Sequence, residues 1–422
     1  MQPPLPFRLV QASSFIDPPI GPDSDFDPLI HAIRHTMSGE HISEVATGAA
    51  TVPERRPLFG LGRHPYIALI VVIAALLYFT NSFWFQSDPD QPEPVQDVVM
   101  EFAPPENSIA VLPFLNMSED SANDYFSDGI SEEILNSLAS LGNFKVTARS
   151  SSFSFRDQQL DIPTIGKRLN VARLLEGSVR KQGTKVRISA QLVDTSDGSQ
   201  IWAQTYDREL GDIFAVQEDI SRNIVKSLEI AMGGKEDALL AKRYSSDFEA
   251  YDAYLLGRHF SHQRTVESIN QSIELFQESI AREPGYVLAY TGLADAYNLL
   301  TAYGDLSGQE AAALMKPMVE TAIALDPEIA EVQTSYGAML GNMGLLDQEE
   351  ERYRRAIAIN SNYALAYMWL GNNLLLQGQL IDGVKVFEEA LSLDPMNPAV
   401  IINLARCSMY TGNIDQAVLY MQ

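Results

Sequence analysis

The rhythm of apolar and polar positions changes four times along the chain. Residues 1–62 show no sustained period and are broken by Pro, Asp and Ser (PPLP, then DPPIGPDSDFDP), so they read as a disordered segment. Tyr66 to Phe85 is a predominantly apolar stretch of 20 residues without a charge. That is the length a helix needs to cross ~30 Å of hydrocarbon. Residues 86–107 form an acidic, proline-rich linker, stiffened by Pro and extended by like charge. From Ser108 short strand-type and helix-type runs alternate. From about Asp247 the pattern is helical and repetitive.

The flanks of the apolar stretch orient it. Arg55, Arg56 and Arg63 precede it, no Lys or Arg follows until Lys145, and Asp88, Asp90, Glu93 and Asp97 come next. Tyr66, Tyr78, Phe79, Phe83, Trp84 and Phe85 crowd its ends, where amphipathic rings suit the headgroup region. The positive-inside rule then puts the N-terminus in the cytoplasm and everything after residue 85 on the far side of an inner (plasma) membrane. The stretch starts too late for a cleaved signal peptide, and no small-residue cleavage site follows it.

Between Ser108 and residue 234 the pattern predicts β-α-β-α-β-β-β-α. SIAVLPF is a short apolar strand. NDYFSDGISEEILNSLASLG has helical spacing, with a start near Asp128, Gly129, Ser131 and Glu133 and a stop at Gly142. FKVTARSSSFSF reads as a second strand, its SSSFSF part as a strand edge or turn. IPTIGKRLN reads as a short helix. Two turns, Lys181–Gly183 and Ser196–Gly198, then separate the strands of a β-meander at 174–180, 185–193 and 200–206, in which Trp202 is expected to face the core. IFAVQEDISRNIVKSLEIAM closes the unit as an amphipathic helix.

That ordered set, above all LLEGSVRKQGTKVRISAQLVDTSDGSQIWAQTYDREL followed by DIFAVQEDI, resembles the TolB-like amino-terminal (FlgO-related) domain over Ser108 to Met232. The resemblance implies a domain set outside a membrane anchor with tetratricopeptide repeats behind it. Such proteins commonly carry a cytoplasmic winged-helix DNA-binding domain or a class III nucleotide cyclase domain in front of the anchor. Residues 1–62 have neither the length nor the strand-helix pattern of either.

The repeats show in positions 34 residues apart: Gly337, Gly371 and Ala405; Gly344, Gly378 and Gly412; Tyr353, Phe387 and Met421; Pro327, Ser361 and Pro395. This is the tetratricopeptide period. A small residue lets helix A approach helix B, an aromatic of helix B fills the space towards the next repeat, and Pro ends helix B. Glu283–Pro284, Asp326–Pro327 and Asp394–Pro395 mark repeat ends. Two earlier units are stretched, around HQRTVES and AYGDLSGQE, which makes five units over 247–422 with the last incomplete. The expected fold is therefore an α/β domain (108–234) plus an all-α tetratricopeptide-repeat solenoid, preceded by a single transmembrane helix (66–85). Because Met421 holds a mid-helix position, the chain is expected to be part of a longer array or to dock that end on another chain.

Composition narrows the function. A net charge of −25 disfavours nucleic acid as a partner, and Cys407 as the sole cysteine rules out an intramolecular disulfide. No GxSxG, HExxH, GxxxxGK[ST] or CxxC pattern is present, so no catalytic residue, cofactor or metal ligand is assigned. His31 and His35 lack a third ligand, as does His41. His259 and His262 read as a polar helix end, and Glu132–Glu133 and Glu388–Glu389 as solvated pairs on helix surfaces. The repeat groove is the candidate site. Helix A register lines it with Thr291, Asp295, Asn298, Thr334, Asn342, Met368, Asn372, Arg406 and Met409, together with Ala338, Leu375 and Ile402. That mixed surface suits an apolar or mixed protein segment better than an acidic tail. The function read from these residues is a non-enzymatic, membrane-anchored envelope protein with an assembly or sensing role. The alternative is the sensory half of a transcriptional regulator or cyclase-type signalling protein whose output domain is absent or on another chain.

Overall fold

The computed structural model describes residues 104–142, 144–228, 234–242 and 244–420. The expected membrane stretch 66–85, the segment 1–62 with its three histidines, most of the linker, and Met421 lie outside the described residues. Among the described residues no helix is long and apolar enough to cross a membrane.

The α/β half comprises β1 (Ser108–Val111), β2 (Leu115–Asn116), α1 (Asp124–Ala139), β3 (Lys145–Val146), α2 (Arg149–Phe153), α3 (Ile162–Leu169), β4 (Arg173–Gln182), β5 (Lys185–Asp194), β6 (Gln200–Glu209), α4 (Ile213–Ser227) and α5 (Gly234–Leu240). The sheet order is β3-β1-β4-β5-β6, with β2 also beside β4. β1 pairs parallel with both β3 and β4, while β4, β5 and β6 form the expected antiparallel meander. β1 is buried along its whole length because helices cover both faces of its part of the sheet. Ile109 and Val111 point towards α1 and α4; Ala110 and Leu112 point towards α3 and Phe155.

Three expectations change here. α1 begins at Asp124, so Asp128, Gly129 and Ser131 lie inside the helix and not at its start. Gly129 is there for close approach: a Cβ would stand 2.6 Å from Leu255 Cδ1. The SSSF stretch is helix α2. Its alternating Ser and Phe mimicked a strand, but Ser151 and Ser152 are buried by their turn. Trp202 is half-buried, because it lies on the edge strand β6 opposite Leu192, next to a register shift. Tyr206 supplies the buried aromatic of that strand.

Five helix pairs follow: α6 (Phe248–His262) with α7 (Val266–Arg282), α8 (Val287–Tyr303) with α9 (Gly308–Leu325), α10 (Ala330–Asn342) with α11 (Leu346–Ile359), α12 (Ala364–Leu376) with α13 (Leu380–Leu393), and α14 (Pro398–Tyr410) with α15 (Ile414–Tyr420). The small residues stand where the period places them. A Cβ at Gly371 would lie 2.7 Å from the Phe387 ring, and one at Gly337 would lie 2.5 Å from Tyr353. Phe276 fills the notch of its own repeat at Gly257 and that of the next at Gly292. The second glycine set has a different cause. Gly344, Gly378 and Gly412 adopt φ of +76°, +79° and +81° at the A–B turn, which L side chains rarely adopt. The residue after each donates back five positions (Leu345 to Leu340, Gln379 to Leu374, Asn413 to Ser408, 2.8–3.0 Å), the helix stop that a left-handed glycine permits.

The two halves share one core. A single apolar cluster runs from Ile109 and Ile188 through Phe126 and Ile220 to Tyr251, Tyr254, Phe276 and Tyr286. The α/β half is thus packed into the first repeats.

Candidate functional site

The repeats carry the site through the turns that end each helix B. Four successive turns present an acid or amide towards the N-terminal half. Glu283 accepts from Ser246 N (3.0 Å) and Oγ (2.7 Å) and from Ser245 Oγ. Asp326 pairs with Lys242 at 2.7 Å. Asn362 donates to the carbonyls of Ala139 (2.9 Å) and Phe144 (2.7 Å) and accepts from Val146 N (3.2 Å). Asp394 accepts from the hydroxyls of Ser150 and Ser151 and from Ser151 N (3.1 Å). Two further bonds, Ala148 N to Leu393 O (2.8 Å) and Met396 N to Ser151 Oγ (2.8 Å), complete the last anchor. The α1–β3 connection and α2 are therefore held by buried, satisfied polar groups.

Between these anchors lies an ion cluster. Glu132 of α1 is buried and meets Arg258 of α6, Arg149 of α2 at 3.0 Å, and His262 Nε2 at 3.9 Å. Burial alone would raise its pKa. The charges of Arg258 and then Arg149 more than offset that and hold the carboxyl well below the usual range. Burial, then the Arg149 charge, push His262 down to about 3, so it is neutral at pH 7. The reading of Glu132–Glu133 as solvated is thus corrected. Glu133 turns towards a cavity of about 110 Å³ lined by Tyr244, Tyr251, Tyr286 and Glu331, where burial and the Glu132 charge carry its carboxyl up to about 7. Glu388 and Glu389 are exposed as expected. His259 and His262 do end α6, and His262 closes the ion cluster as well.

A second cavity of about 280 Å³ opens between α1, the start of α2 and the inner helices of the repeats. Of the expected groove residues, Asp295, Asn298, Thr334 and Met368 line it, with Ala338. Asp295 accepts from Ser335 (2.6 Å), and burial nevertheless lifts its carboxyl to about 6. Asn298 accepts from Asn342 (2.7 Å). Thr291 is buried and bonds its own helix at the Leu288 carbonyl (2.9 Å), so it is not on the groove surface. Asn372 is also buried; it accepts from Asn403 (2.9 Å), which in turn accepts from Arg406 (2.7 Å). Met409 is 45% exposed. The N-terminal part of the expected groove is thus roofed by the chain's own α1 and α2, and the last repeat's part is not.

Sequence reading missed Glu132, Arg149, Arg258, Asn362 and the anchoring role of Asp394. One signal was present: Asp326, Asn360 and Asp394 share the 34-residue register, and a recurring polar residue at a repeat end can hold more than its own turn.

Comparison with known proteins agrees with the repeats. A tetratricopeptide repeat family model matches residues 374–422. The chain is 38% identical over 191 residues to "Putative adenylate cyclase 3" of Rhizobium meliloti, a match that covers 45% of this chain and 32% of that protein. It is 27% identical over 172 residues to the transcriptional regulator HilA of Salmonella paratyphi A, covering 39% of this chain and 30% of that one. The chain spans about a third of the length of these curated relatives. Among solved structures, a thermophilic tetratricopeptide-repeat protein of Thermus thermophilus is 18% identical, with a TM-score of 0.34 over 40% of this chain and 87% of that one. The chain thus carries tetratricopeptide repeats, and proteins built on such repeats act through protein interactions.

Proposed function

We propose that the chain is the receiving half of a membrane-anchored signalling protein, itself non-enzymatic, whose repeats hold the α/β domain and bind a protein segment at the repeat that carries Met409. The observation that carries this reading is the seating of α1 and α2 on the repeat ends around Glu132. A domain fixed that way is positioned to report a change in the repeats. The relatives add support: one is named a cyclase and the other a transcriptional regulator, and each matches over about a third of its own length. Relatives named for two different outputs, each matched over 172 to 191 residues of this chain, are what an input module would have.

The α/β half is read as a TolB-like amino-terminal domain, supported by its meander and closing helix. Residues 66–85 are the proposed anchor in the inner membrane, with residues 1–62 cytoplasmic and the repeats outside, a topology supported by the flanking charge. The cytoplasmic output acts on the far side of that membrane. A photo-crosslinking residue at Met409 should capture an extracytoplasmic protein, and one within residues 1–62 a cytoplasmic signalling chain. Envelope structural proteins at both positions would replace signalling by assembly. A cytoplasm-only reporter that is active when fused after residue 240 would overturn the topology altogether.

A further inference from the structure

The smaller cavity, of about 110 Å³, lies between α1, α4, the residues after α5, and α10, and its charges do not balance. Among the carboxylates that line it, Glu218 pairs with Arg222 at 2.9 Å and Glu328 with Arg355. Lys242, its one described cation, is taken by Asp326 at 2.7 Å. Glu133 of α1 and Glu331 of α10 are left with no ion pair among the described residues. Asn136, one turn along α1, hydrogen-bonds Glu133 and is neutral. Arg258 acts on both carboxylates from a distance, but it is bonded to Glu132, as is Arg149. Glu132, Glu133, Glu331 and Asp326 thus stand against Arg149, Arg258 and Lys242, which leaves one negative charge over. The walls are aromatic: Phe214, Tyr244, Tyr251 and Tyr286. Tyr286 lines the cavity at 1% exposure, and its hydroxyl bonds no described residue.

A leftover negative charge in an aromatic-walled cavity calls for a cation that can also lie against rings. We infer that this cavity binds a small monovalent ammonium ion between Glu133 and Glu331, with the Tyr286 hydroxyl as a third acceptor. The volume is roughly four waters' share, so the ion is of methylammonium size. Glu133 belongs to the α/β half and Glu331 to the third helix pair, so the ion would draw the two together. This rests on the signalling reading and deepens it by naming an input.

A proton is the ion's competitor. The titratable groups that face Glu133 are Glu132 on its own helix, Tyr251, Tyr254 and Arg258 on α6, Glu331 on α10, and Tyr244 and Tyr286. Burial keeps the four tyrosines neutral, and burial with the Glu132 charge carries the Glu133 carboxyl up to about 7. The ion therefore displaces a proton around that pH and binds more tightly as pH rises.

The full chain is titrated by calorimetry with methylammonium at pH 6 and pH 8, up to ~10 mM, where even a millimolar site fills. Sodium chloride holds the ionic strength constant, and methanol, potassium and tetraethylammonium probe charge, chemistry and size. The expected result is saturable binding of methylammonium, about fivefold or more tighter at pH 8, and none of methanol or tetraethylammonium. Glu331→Gln should weaken it about tenfold or more, and Glu133→Gln should do the same and remove its pH dependence. Neither should lower the melting temperature at pH 8, because each deletes an uncompensated buried charge. Tyr286→Phe, which removes one oxygen, should weaken binding about threefold. No saturable methylammonium binding at either pH overturns the inference, and so does binding that both glutamine variants leave unchanged. Equal binding of methanol overturns it too. Potassium binding alone would overturn the organic ion and leave an alkali-ion site. If methylammonium fails while crosslinking at Met409 succeeds, only this inference falls; the reverse outcome removes protein binding and keeps the ion.

Discussion

The interior of the repeats recurs as one apolar contact, whereas their junction with the α/β half adds a buried ion cluster to the apolar core the halves share. Within the repeats an aromatic ring sits where a glycine lacks a Cβ, as Phe387 does on Gly371, and the contact is apolar and recurs. At the junction a carboxylate, two guanidiniums and a set of turn-borne acids and amides meet, several of them across more than a hundred residues of sequence. Apolar packing tolerates compensating change in volume. A buried charge does not tolerate the loss of its partner. The repeats are therefore the stiff frame, and the junction is the place where one proton, ligand or substitution has leverage.

The largest effect should come from the junction. Glu132→Gln leaves Arg149 and Arg258 facing each other in a buried site, and breaking a buried pair from one side costs ~3–5 kcal/mol. Amide exchange should accelerate first in α1 and the α1–β3 connection, with α12 and α13 following less. A loss under about 1 kcal/mol, or exchange that rises evenly through the repeats, would show that the junction is no weaker a link than the frame.

The same contrast explains what could be read from sequence. The repeat helices were legible because their small and aromatic positions return every 34 residues, and the meander because its strands alternate; β4, β5 and β6 extend one to three residues beyond some expected ends. The two-residue strands β2 and β3 offer too few positions for a period to appear. Glu132 was taken for a solvated charge because its partners lie 17 and 126 residues away, and no local pattern announces them. Thr291 and Asn372 were expected on the groove surface from helix register, and both side chains are buried. Register places a residue on a helix face but does not say what the neighbouring helices bury there, as Asn403 of the next repeat does at Asn372.

A pH scan gives the next effect, with its sign fixed by burial. Burial carries Glu349 from the usual 4.5 up to about 7, against hydrogen bonds from Asn373 (2.9 Å) and Tyr353 (3.0 Å). Between those two values the folded state keeps a proton that the unfolded chain has released, so stability falls as pH rises through this window. Glu133 and Asp295 act in the same direction. Glu132 acts oppositely and at lower pH: its carboxyl is depressed, so its contribution is present at neutral pH and lost on acidification. Glu349→Gln should flatten the decline between pH 5 and pH 8 and gain up to ~3 kcal/mol at the upper end, since one pKa unit is worth about 1.4 kcal/mol. His262, depressed to about 3, acts the other way up to about pH 6.5, so the check is the difference: a melting-temperature gain of Glu349→Gln over the unaltered protein that shrinks from pH 5 to pH 8 would contradict the sign.

Gly371→Leu probes the frame. The new side chain would meet the Phe387 ring, and overpacking of this kind costs ~1–3 kcal/mol. Exchange should rise in α12 to α14 and leave α1 as it was. If α1 loosens as much as α13 does, frame and junction are one cooperative element and the contrast between them disappears.

The smallest effect on stability, and the most direct on function, belongs to the repeat that carries Met409. Met409 and Asn372 were expected to line the same groove, yet Met409 is 45% exposed while Asn372 is 7% exposed and bonded to Asn403. Asn372→Ala removes an acceptor from a buried amide and should cost ~1–3 kcal/mol. Met409→Ala removes nothing the fold depends on and should shift stability by ~0.5 kcal/mol or less. If protein binding resides at the last repeat, Met409→Ala will weaken capture of the partner at an unchanged melting temperature. Asn372→Ala will weaken it only in proportion to unfolding, so cooling should restore it. Equal melting shifts from the two changes would mean that Met409 is covered in the working protein, by further chain or by a second molecule. Unchanged binding with Met409→Ala would move the partner away from the concave face altogether.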